Sequence, residues 1–150
     1  MTSTVNLPTV PGYVNWLVRK ALRSPLHPML SRSIMLLTVT GRKTGARYVI
    51  PIRYLREGDI ITCYTDGGWW RNLRGGATVE LRIAGRDRSG NATATRGSAI
   101  VAQGLGRFLQ AFPSDSKYYG VRRDADGRPN AGDIDAAAAY TTLVRIELAS

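Results

Sequence analysis

Apolar residues recur at every second position in several short segments of this chain, which is the spacing of β-strands. Val79, Leu81 and Ile83 alternate with charged residues, so residues 78–84 predict a strand with one buried face. Pro51 predicts a sheet edge or a bulge, because proline lacks the N–H that a strand ladder uses. A continuous apolar run of β-branched and large residues predicts a strand over residues 34–40. Further strands are predicted over residues 48–55, 60–65 and 141–148, and the polar, glycine-broken residues 86–95 are predicted as the hairpin partner of 78–84.

Two longer segments, residues 12–23 and 98–112, repeat apolar residues at helical spacing. Residues 12–23 are also basic and contain Trp16, so this helix either packs on the core or contacts a membrane surface or a partner. Two glycines weaken the second helix, and residues 1–11 predict a loose tail. Shorter helices are predicted over residues 69–73 and 133–140, with Asp66 and Asp133 as their capping residues.

The predicted strands follow one another through short turns, without regular crossover helices. Short connections join antiparallel neighbours, whereas parallel strands need long crossovers. The order of elements therefore predicts a mainly β fold of the α+β class, an antiparallel barrel with peripheral helices, over a doubly wound parallel sheet. The 150 residues predict a single domain over 1–150.

The charge of the chain is strongly positive and unevenly distributed. There are 21 Lys and Arg against 11 Asp and Glu, a formal net charge of +10. Residues 1–56 hold nine of the basic residues and no acidic residue. This distribution predicts a basic face on the N-terminal half that attracts anions.

Cysteine and histidine, which dominate many hydrolytic and metal sites, are nearly absent. Cys63 is the single cysteine and lies in an apolar strand, so it predicts a buried thiol in a reducing compartment. His27 is the single histidine and lies in a turn between prolines. A Ser-His-Asp triad and a zinc site are therefore disfavoured. With no signal peptide or membrane-spanning run in the sequence, we expect a cytoplasmic protein, membrane-associated if residues 12–23 contact a bilayer.

A glycine turn carries three cations between two predicted strands. Gly41 and Gly45 bracket Arg42 and Lys43, and Arg47 follows. Such a turn exposes backbone N–H groups beside fixed positive charges, which together bind phosphate or carboxylate. The alternative interpretation is a solvated basic turn. The Trp69–Trp70 pair has the same ambiguity, between core packing and the border of a pocket for a flat ring.

In combination, the run from Leu36 to Gly45, then Pro51, then Trp70-x-Asn72-Leu73 resembles a known family. That family is the deazaflavin-dependent nitroreductases and quinone reductases, which use coenzyme F-420 (8-hydroxy-5-deazaflavin). The resemblance covers about residues 12–95. It implies an antiparallel split β-barrel of the FMN-binding-like type. It also implies an oxidoreductase that transfers a hydride from reduced coenzyme F-420 to a quinone, nitroaromatic or enone.

The resemblance also implies roles for individual residues. Arg42, Lys43 and Arg47 would hold the anionic tail of the coenzyme, whereas Trp70 would border the pocket and Asn72 would hold its shape. The catalytic candidates are Tyr118 and Tyr119, as proton donors or as an aromatic lid. The other implied cofactor-binding residues are Pro51, Ile52 and Arg53 along the deazaflavin, and Tyr64, Thr65, Asp66, Gly67 and Gly68 in a loop that meets the phosphate or the ring.

Two alternatives stay open beside the deazaflavin reductase. One is a split-barrel protein that binds FMN or FAD, because Asp66 stands where many family members have lysine and the loop before Trp69 is short. The other is a non-enzymatic binder of anionic membranes or nucleic acid. Nucleic acid is disfavoured because the aromatic residues are not interleaved with the basic ones. We expect a small-molecule hydride acceptor as the partner, and a homodimer is a further expectation.

Overall fold

The computed structural model describes residues 34–150. The predicted tail over 1–11, the predicted helix over 12–23 and His27 lie outside the described residues. The described chain forms two compact units. The first comprises residues 34–63, Gly67–Ala94 and Val144–Ser150, and the second comprises Tyr64–Asp66 and Thr95–Leu143. The single domain over 1–150 stays a prediction.

Seven strands form one sheet. They are β1 (Ile34–Thr40), β2 (Arg47–Arg53), β3 (Leu55–Glu57), β4 (Ile60–Thr65), β5 (Ala77–Ile83), β6 (Arg86–Thr95) and β7 (Thr142–Leu148). Their order across the sheet is β2-β1-β5-β6-β7-β4-β3. The pairs β1–β2, β1–β5, β3–β4 and β5–β6 are all antiparallel. A mainly antiparallel sheet with a few helices is the architecture that the sequence predicts.

Pro51 lies on β2, where it pairs with Leu36 of β1. β2 is at one edge of the sheet and has no neighbouring strand on its open side. Proline can occupy such a strand because no partner there needs the N–H that it lacks. The predicted sheet edge at Pro51 is therefore confirmed. The single strand predicted over 48–55 is wrong in one respect, because β2 ends at Arg53 and β3 begins at Leu55, with the buried Tyr54 between them.

The core of the first unit is built from the inward faces of these strands. Alternate residues of β5 are buried, as the period of two requires. Cys63 of β4 is fully buried in the same core, which confirms the predicted buried thiol. Its burial raises the pKa of the thiol to about 12, so the neutral thiol prevails at physiological pH. Other core residues are Met35, Leu37, Val39, Ile50, Ile61, Trp69, Leu73, Val79, Leu81, Ile83, Val144 and Ile146.

The second unit contains two α-helices, α1 (Ser98–Ala111) and α2 (Ala131–Ala138), with a 3-10 helix over Pro113–Tyr119 between them. α1 buries Val101, Leu105, Phe108 and Leu109, which share one face of the helix. This confirms the helix predicted from the apolar spacing of residues 98–112.

The predicted cap at Asp133 is wrong. Asn130 caps α2, and its side-chain oxygen accepts a hydrogen bond of 2.9 Å from the backbone N–H of Asp133. The Asp133 carboxylate instead accepts from the backbone N–H and the guanidinium of Arg122, at 2.9 and 2.8 Å. These hydrogen bonds to Arg122 lower the pKa of Asp133 below its ordinary value. An aspartate three residues into a helix can therefore serve a neighbouring loop while an asparagine satisfies the helix end.

Gly104 permits a close approach inside the second unit. A Cβ at this position would overlap the Tyr64 hydroxyl oxygen and lie 3.3 Å from the ring carbon that carries it. The Tyr64 ring cannot simply move away, because it is buried and packs edge-on against Phe108 with 5.0 Å between ring centroids. At Gly106, by contrast, a Cβ would make only an ordinary contact of 3.5 Å with Ile134.

We predict that Gly104→Ala and Gly106→Ala change stability in opposite directions. Gly104→Ala should lower the free energy of unfolding by about 1–3 kcal/mol, since overpacking displaces a rigid ring. Gly106→Ala should raise it by up to about 1 kcal/mol through helix propensity. Thermal and urea unfolding of both variants measures this, and adding Tyr64→Phe to Gly104→Ala should recover part of the loss. Equal effects at the two positions would contradict the packing described for Gly104.

Candidate functional site

The basic hairpin predicted from the sequence is a tight turn between β1 and β2. Thr40 pairs with Arg47 at the end of the two strands. Within the turn, the Gly41 N–H donates to the Ala46 carbonyl at 2.6 Å, and the Gly45 N–H donates to the Gly41 carbonyl at 3.0 Å. Gly45 has a φ of 74°, a left-handed conformation that glycine adopts without a Cβ penalty. The turn leaves the intervening cations exposed to solvent.

A 3-10 helix over Gly68–Leu73 forms the second part of the site. It is anchored by Trp69 and Leu73, which are both buried. The predicted cap at Asp66 is wrong, because the helix begins after Gly67 and no side chain caps it. The residues between the two anchors are less buried, since Trp70 and Asn72 are half-buried and Arg71 is exposed.

Asn72 connects the helix to the hairpin. Its side-chain oxygen accepts a hydrogen bond of 3.1 Å from the backbone N–H of Arg42, thirty positions earlier in the chain. Its side-chain nitrogen donates a hydrogen bond of 3.1 Å to the Trp69 carbonyl. Only a side chain with both an acceptor and a donor can make this pair of bonds. The position of the basic turn therefore depends on a single amide.

Hairpin and helix together enclose a cavity of about 670 Å³, which we call the basic groove. Its volume is within the ~300–1,000 Å³ range of small-molecule sites. Four residues that the sequence analysis selected as cofactor-binding line it: Arg42, Lys43, Gly68 and Asn72. The lining residues that it did not select are Gly41, Thr44, Tyr48, Trp69, Arg71 and Arg74.

The groove contains four cations and no lining carboxylate among the described residues. Arg42, Lys43, Arg71 and Arg74 all line it, and none forms an ion pair within residues 34–150. Arg47, at the foot of the same hairpin, is different, because its guanidinium lies 2.5 Å from the Glu80 carboxylate. Four uncompensated positive charges around one concave surface focus a field that favours an anion.

Trp69 lies between the groove and the core. The residue lines the cavity, yet only 1% of its surface is exposed and it belongs to the hydrophobic core of the first unit. Its indole Nε1 is buried and has no hydrogen-bond partner within the described part of the chain, which is an exception among buried donors.

The remaining predicted residues of the first unit lie outside the lining. Pro51, Ile52 and Arg53 are half-buried on the edge strand β2. Gly67 is buried before the 3-10 helix. Trp70 is half-buried beside the groove, and its ring packs against two guanidinium groups.

The other predicted residues belong to the second unit. Tyr64 and Thr65 are buried there, whereas Asp66 is exposed. The Tyr119 hydroxyl donates a hydrogen bond of 3.2 Å to the Tyr64 carbonyl. The Tyr118 side chain is 73% exposed, with the Lys117 ammonium 5.3 Å from its ring centroid. The roles assigned to these residues stay predictions.

Residues 34–150 contain neither a membrane-spanning helix nor a cluster of metal-ligating side chains. No helix in that range is long and apolar enough to cross a membrane. No group of three or more His, Cys, Asp or Glu side chains in the same range could hold a metal ion. The membrane contact through residues 12–23 lies outside the described residues and stays a prediction.

Residues 16–127 match the model of a family described as F-420H2-dependent quinone reductase, F-420H2 being the reduced coenzyme. The chain belongs to this family. The F-420H2-dependent quinone reductases are oxidoreductases, and the family identified from the glycine turn and the Trp-x-Asn-Leu motif is thereby confirmed. The match contains the hairpin and the 3-10 helix, which are the two parts of the basic groove.

Solved structures share the fold of this quinone reductase family member. A structure described as a domain-swapped dimer is 15% identical, with a TM-score of 0.52, covering 91% of this chain and 100% of the other. A structure from Bacteroides thetaiotaomicron, described as a candidate 5-nitroimidazole antibiotic resistance protein, is 13% identical, with a TM-score of 0.51, covering 82% and 76%. The predicted antiparallel split-barrel fold is confirmed.

We predict that Asn72→Leu loosens the hairpin of this family member without unfolding the core. The variant removes the acceptor of the Arg42 N–H and the donor to Trp69, so it should cost about 1 kcal/mol, since water can solvate the exposed N–H. Hydrogen–deuterium exchange should accelerate about fivefold at residues 41–46 and stay unchanged in β1. Asn91→Leu, at an exposed position of β6, is the matched control. Unchanged exchange in the hairpin would show that Asn72 does not position it.

Proposed function

We propose that this protein binds coenzyme F-420 with the anionic tail in the basic groove, and reduces a quinone, a nitroaromatic or an enone with the bound, reduced coenzyme. The observation that carries the proposal is the set of four groove cations that no acidic side chain neutralises within the described residues. Membership of the F-420H2-dependent quinone reductase family supports the reductase chemistry.

The residues of the groove fit a ligand with an anionic tail. Arg42 and Lys43 present charge-assisted donors at the tip of the hairpin, and such donors make the stronger hydrogen bonds to phosphate and carboxylate. The cavity is large enough for an elongated ligand.

The deazaflavin, when bound, supplies the hydride. The chain itself would bind the tail through Arg42 and Lys43, and Asn72 would keep their turn against the 3-10 helix. We assign Pro51, Ile52 and Arg53, and the backbone of residues 64–68, to the ring and phosphate end of the coenzyme. Arg47 is assigned to the far end of the tail, where binding would compete with its ion pair to Glu80.

For the proton that completes reduction we propose Tyr118 ahead of Tyr119. The Tyr119 hydroxyl already donates to the Tyr64 carbonyl, so giving up that hydrogen to a substrate would cost a hydrogen bond. The Tyr118 hydroxyl belongs to an exposed side chain.

Titration of the protein with oxidised coenzyme F-420, followed by coenzyme fluorescence, tests the proposal. We predict saturable binding, and a dissociation constant about ten- to a hundredfold higher for Arg42→Gln/Lys43→Gln. Each charge-assisted hydrogen bond contributes about 1–1.5 kcal/mol at an exposed site, and 1.4 kcal/mol is a tenfold change in affinity. Arg88→Gln/Arg145→Gln removes the same charge from β6 and β7 and should change the affinity less than twofold.

Different results identify the alternatives. Saturable binding of FMN or FAD with none of coenzyme F-420 would replace the proposal by the flavin-binding alternative. Binding of duplex DNA or anionic vesicles that competes with the coenzyme and falls steeply with salt would favour the non-enzymatic alternative. Equal affinity of the wild type and Arg42→Gln/Lys43→Gln would remove these two residues from the tail site.

A further inference from the structure

The 3-10 helix of the groove carries two arginines, Arg71 and Arg74, to which the proposed function assigns no individual role. We propose that Arg71 and Arg74, held against the Trp70 ring, form a second anion subsite, so that the groove selects ligands with two or more separate anionic groups. In the proposed function that ligand is the anionic tail of coenzyme F-420, so the identity of the ligand rests on the proposed function. The subsite itself is defined by this chain's own side chains and is open to simpler polyanions.

Local structure places the two arginines together. Arg71 is the fourth residue of the 3-10 helix Gly68–Leu73, and Arg74 caps its end, three positions later. At 3.0 residues per turn, side chains three positions apart project in the same direction. In an α-helix the same spacing would leave the pair about 60° apart, so the tighter helix is what aligns them.

The Trp70 ring gives both guanidinium groups one support. The Arg71 guanidinium carbon lies 5.4 Å from the ring centroid and that of Arg74 lies 5.0 Å from it. Both distances are within the range of cation–π contacts. Added end to end, they limit the separation of the two carbons to 10.4 Å. The contacts also reduce the rotamer freedom that binding would otherwise have to remove.

Gly68 makes room for one of these side chains. A Cβ on Gly68 would lie 2.7 Å from an Arg71 Nη atom, which is closer than real Cβ atoms approach. The Arg71 guanidinium thus lies over Gly68 in the space that a larger residue's Cβ would take. The Trp70 ring and the absent Cβ of Gly68 together accommodate this arginine at the groove.

Arg71 and Arg74 are unpaired arginines that line one groove, whereas some arginines of the same unit are neutralised by acids. In the same unit, Arg82 lies 2.8 Å from the Asp87 carboxylate and Arg145 lies 3.0 Å from that of Glu147. Arg71 and Arg74 contact one ring and line the same groove as two more cations, with no carboxylate paired to any of the four in the described chain. Like charges around one concave surface repel in the free protein, and bound anions relieve that repulsion.

A comparison of tail lengths tests the second subsite directly. The probes are coenzyme F-420 with one glutamate, coenzyme F-420 with six glutamates, and the deazaflavin that lacks both phosphate and tail. For the wild type we expect the six-glutamate form to bind at least fivefold more tightly than the one-glutamate form at low salt. Arg71→Gln/Arg74→Gln should reduce that preference to less than twofold and leave the affinity for the tail-less deazaflavin unchanged.

Two variants make the result specific. Arg88→Gln/Arg145→Gln removes the same net charge outside the groove and should keep the wild-type preference for the long tail. Trp70→Leu keeps both cations but removes their common support, so it should show an intermediate preference. The subsite is overturned if Arg71→Gln/Arg74→Gln keeps the full tail-length preference, or if it weakens all three probes equally.

Titration with inorganic tripolyphosphate and orthophosphate separates this inference from the proposed function. Wild-type protein should bind tripolyphosphate more tightly than orthophosphate, and Arg71→Gln/Arg74→Gln should abolish the difference. If that holds while no deazaflavin binds, the subsite stands and the proposed function fails. If the coenzyme binds but neither tail length nor tripolyphosphate depends on these arginines, the subsite fails and the proposed function stands.

Discussion

The amide of Asn72 is the interaction on which the candidate site depends. Its oxygen accepts a hydrogen bond from the Arg42 backbone N–H, and its nitrogen donates one to the Trp69 carbonyl. These two bonds attach the glycine turn to the 3-10 helix. An aspartate could accept from Arg42 but could not donate to the carbonyl, and a leucine could do neither. The 3-10 helix can act as the fixed partner because Trp69 and Leu73 are buried in the core of the sheet.

Once the two elements are joined, their charges become the dominant property of the site. Each wall contributes two cations to one concave surface, and no described carboxylate pairs with them. This concentration of unpaired charge on one concave surface is a cost to the free protein that an anionic ligand offsets.

The sheet was predictable because its strands obey a local rule. Val79, Leu81 and Ile83 are buried as their alternation requires, and Pro51 lies on an edge strand because no interior position tolerates it. Helix caps were not predictable at the same level. Asp66 and Asp133 each have a neighbour of similar cap propensity, and the choice depends on contacts elsewhere, such as the pairing of Asp133 with Arg122.

Some residues of the candidate site could be predicted from sequence motifs, and others could not. Arg42, Lys43 and Asn72 belong to motifs that can be read in sequence, and they line the groove. Arg71 and Arg74 were missed because an exposed arginine looks the same in sequence whether or not an acid lies beside it. Arg47 has its acid thirty-three positions away, in another strand. The one available signal was the spacing of three in a short helix that also contains a tryptophan, since it aligns two side chains on one ring.

A crystal structure of the full chain with oxidised coenzyme F-420 bound tests the central claim most directly. We predict that phosphate or carboxylate oxygens of the tail lie within about 3 Å of the Arg42 guanidinium and the Lys43 ammonium, with the hydrogen bonds of Asn72 retained. A bound coenzyme whose tail lies outside the basic groove, with these cations still solvated, would contradict the account.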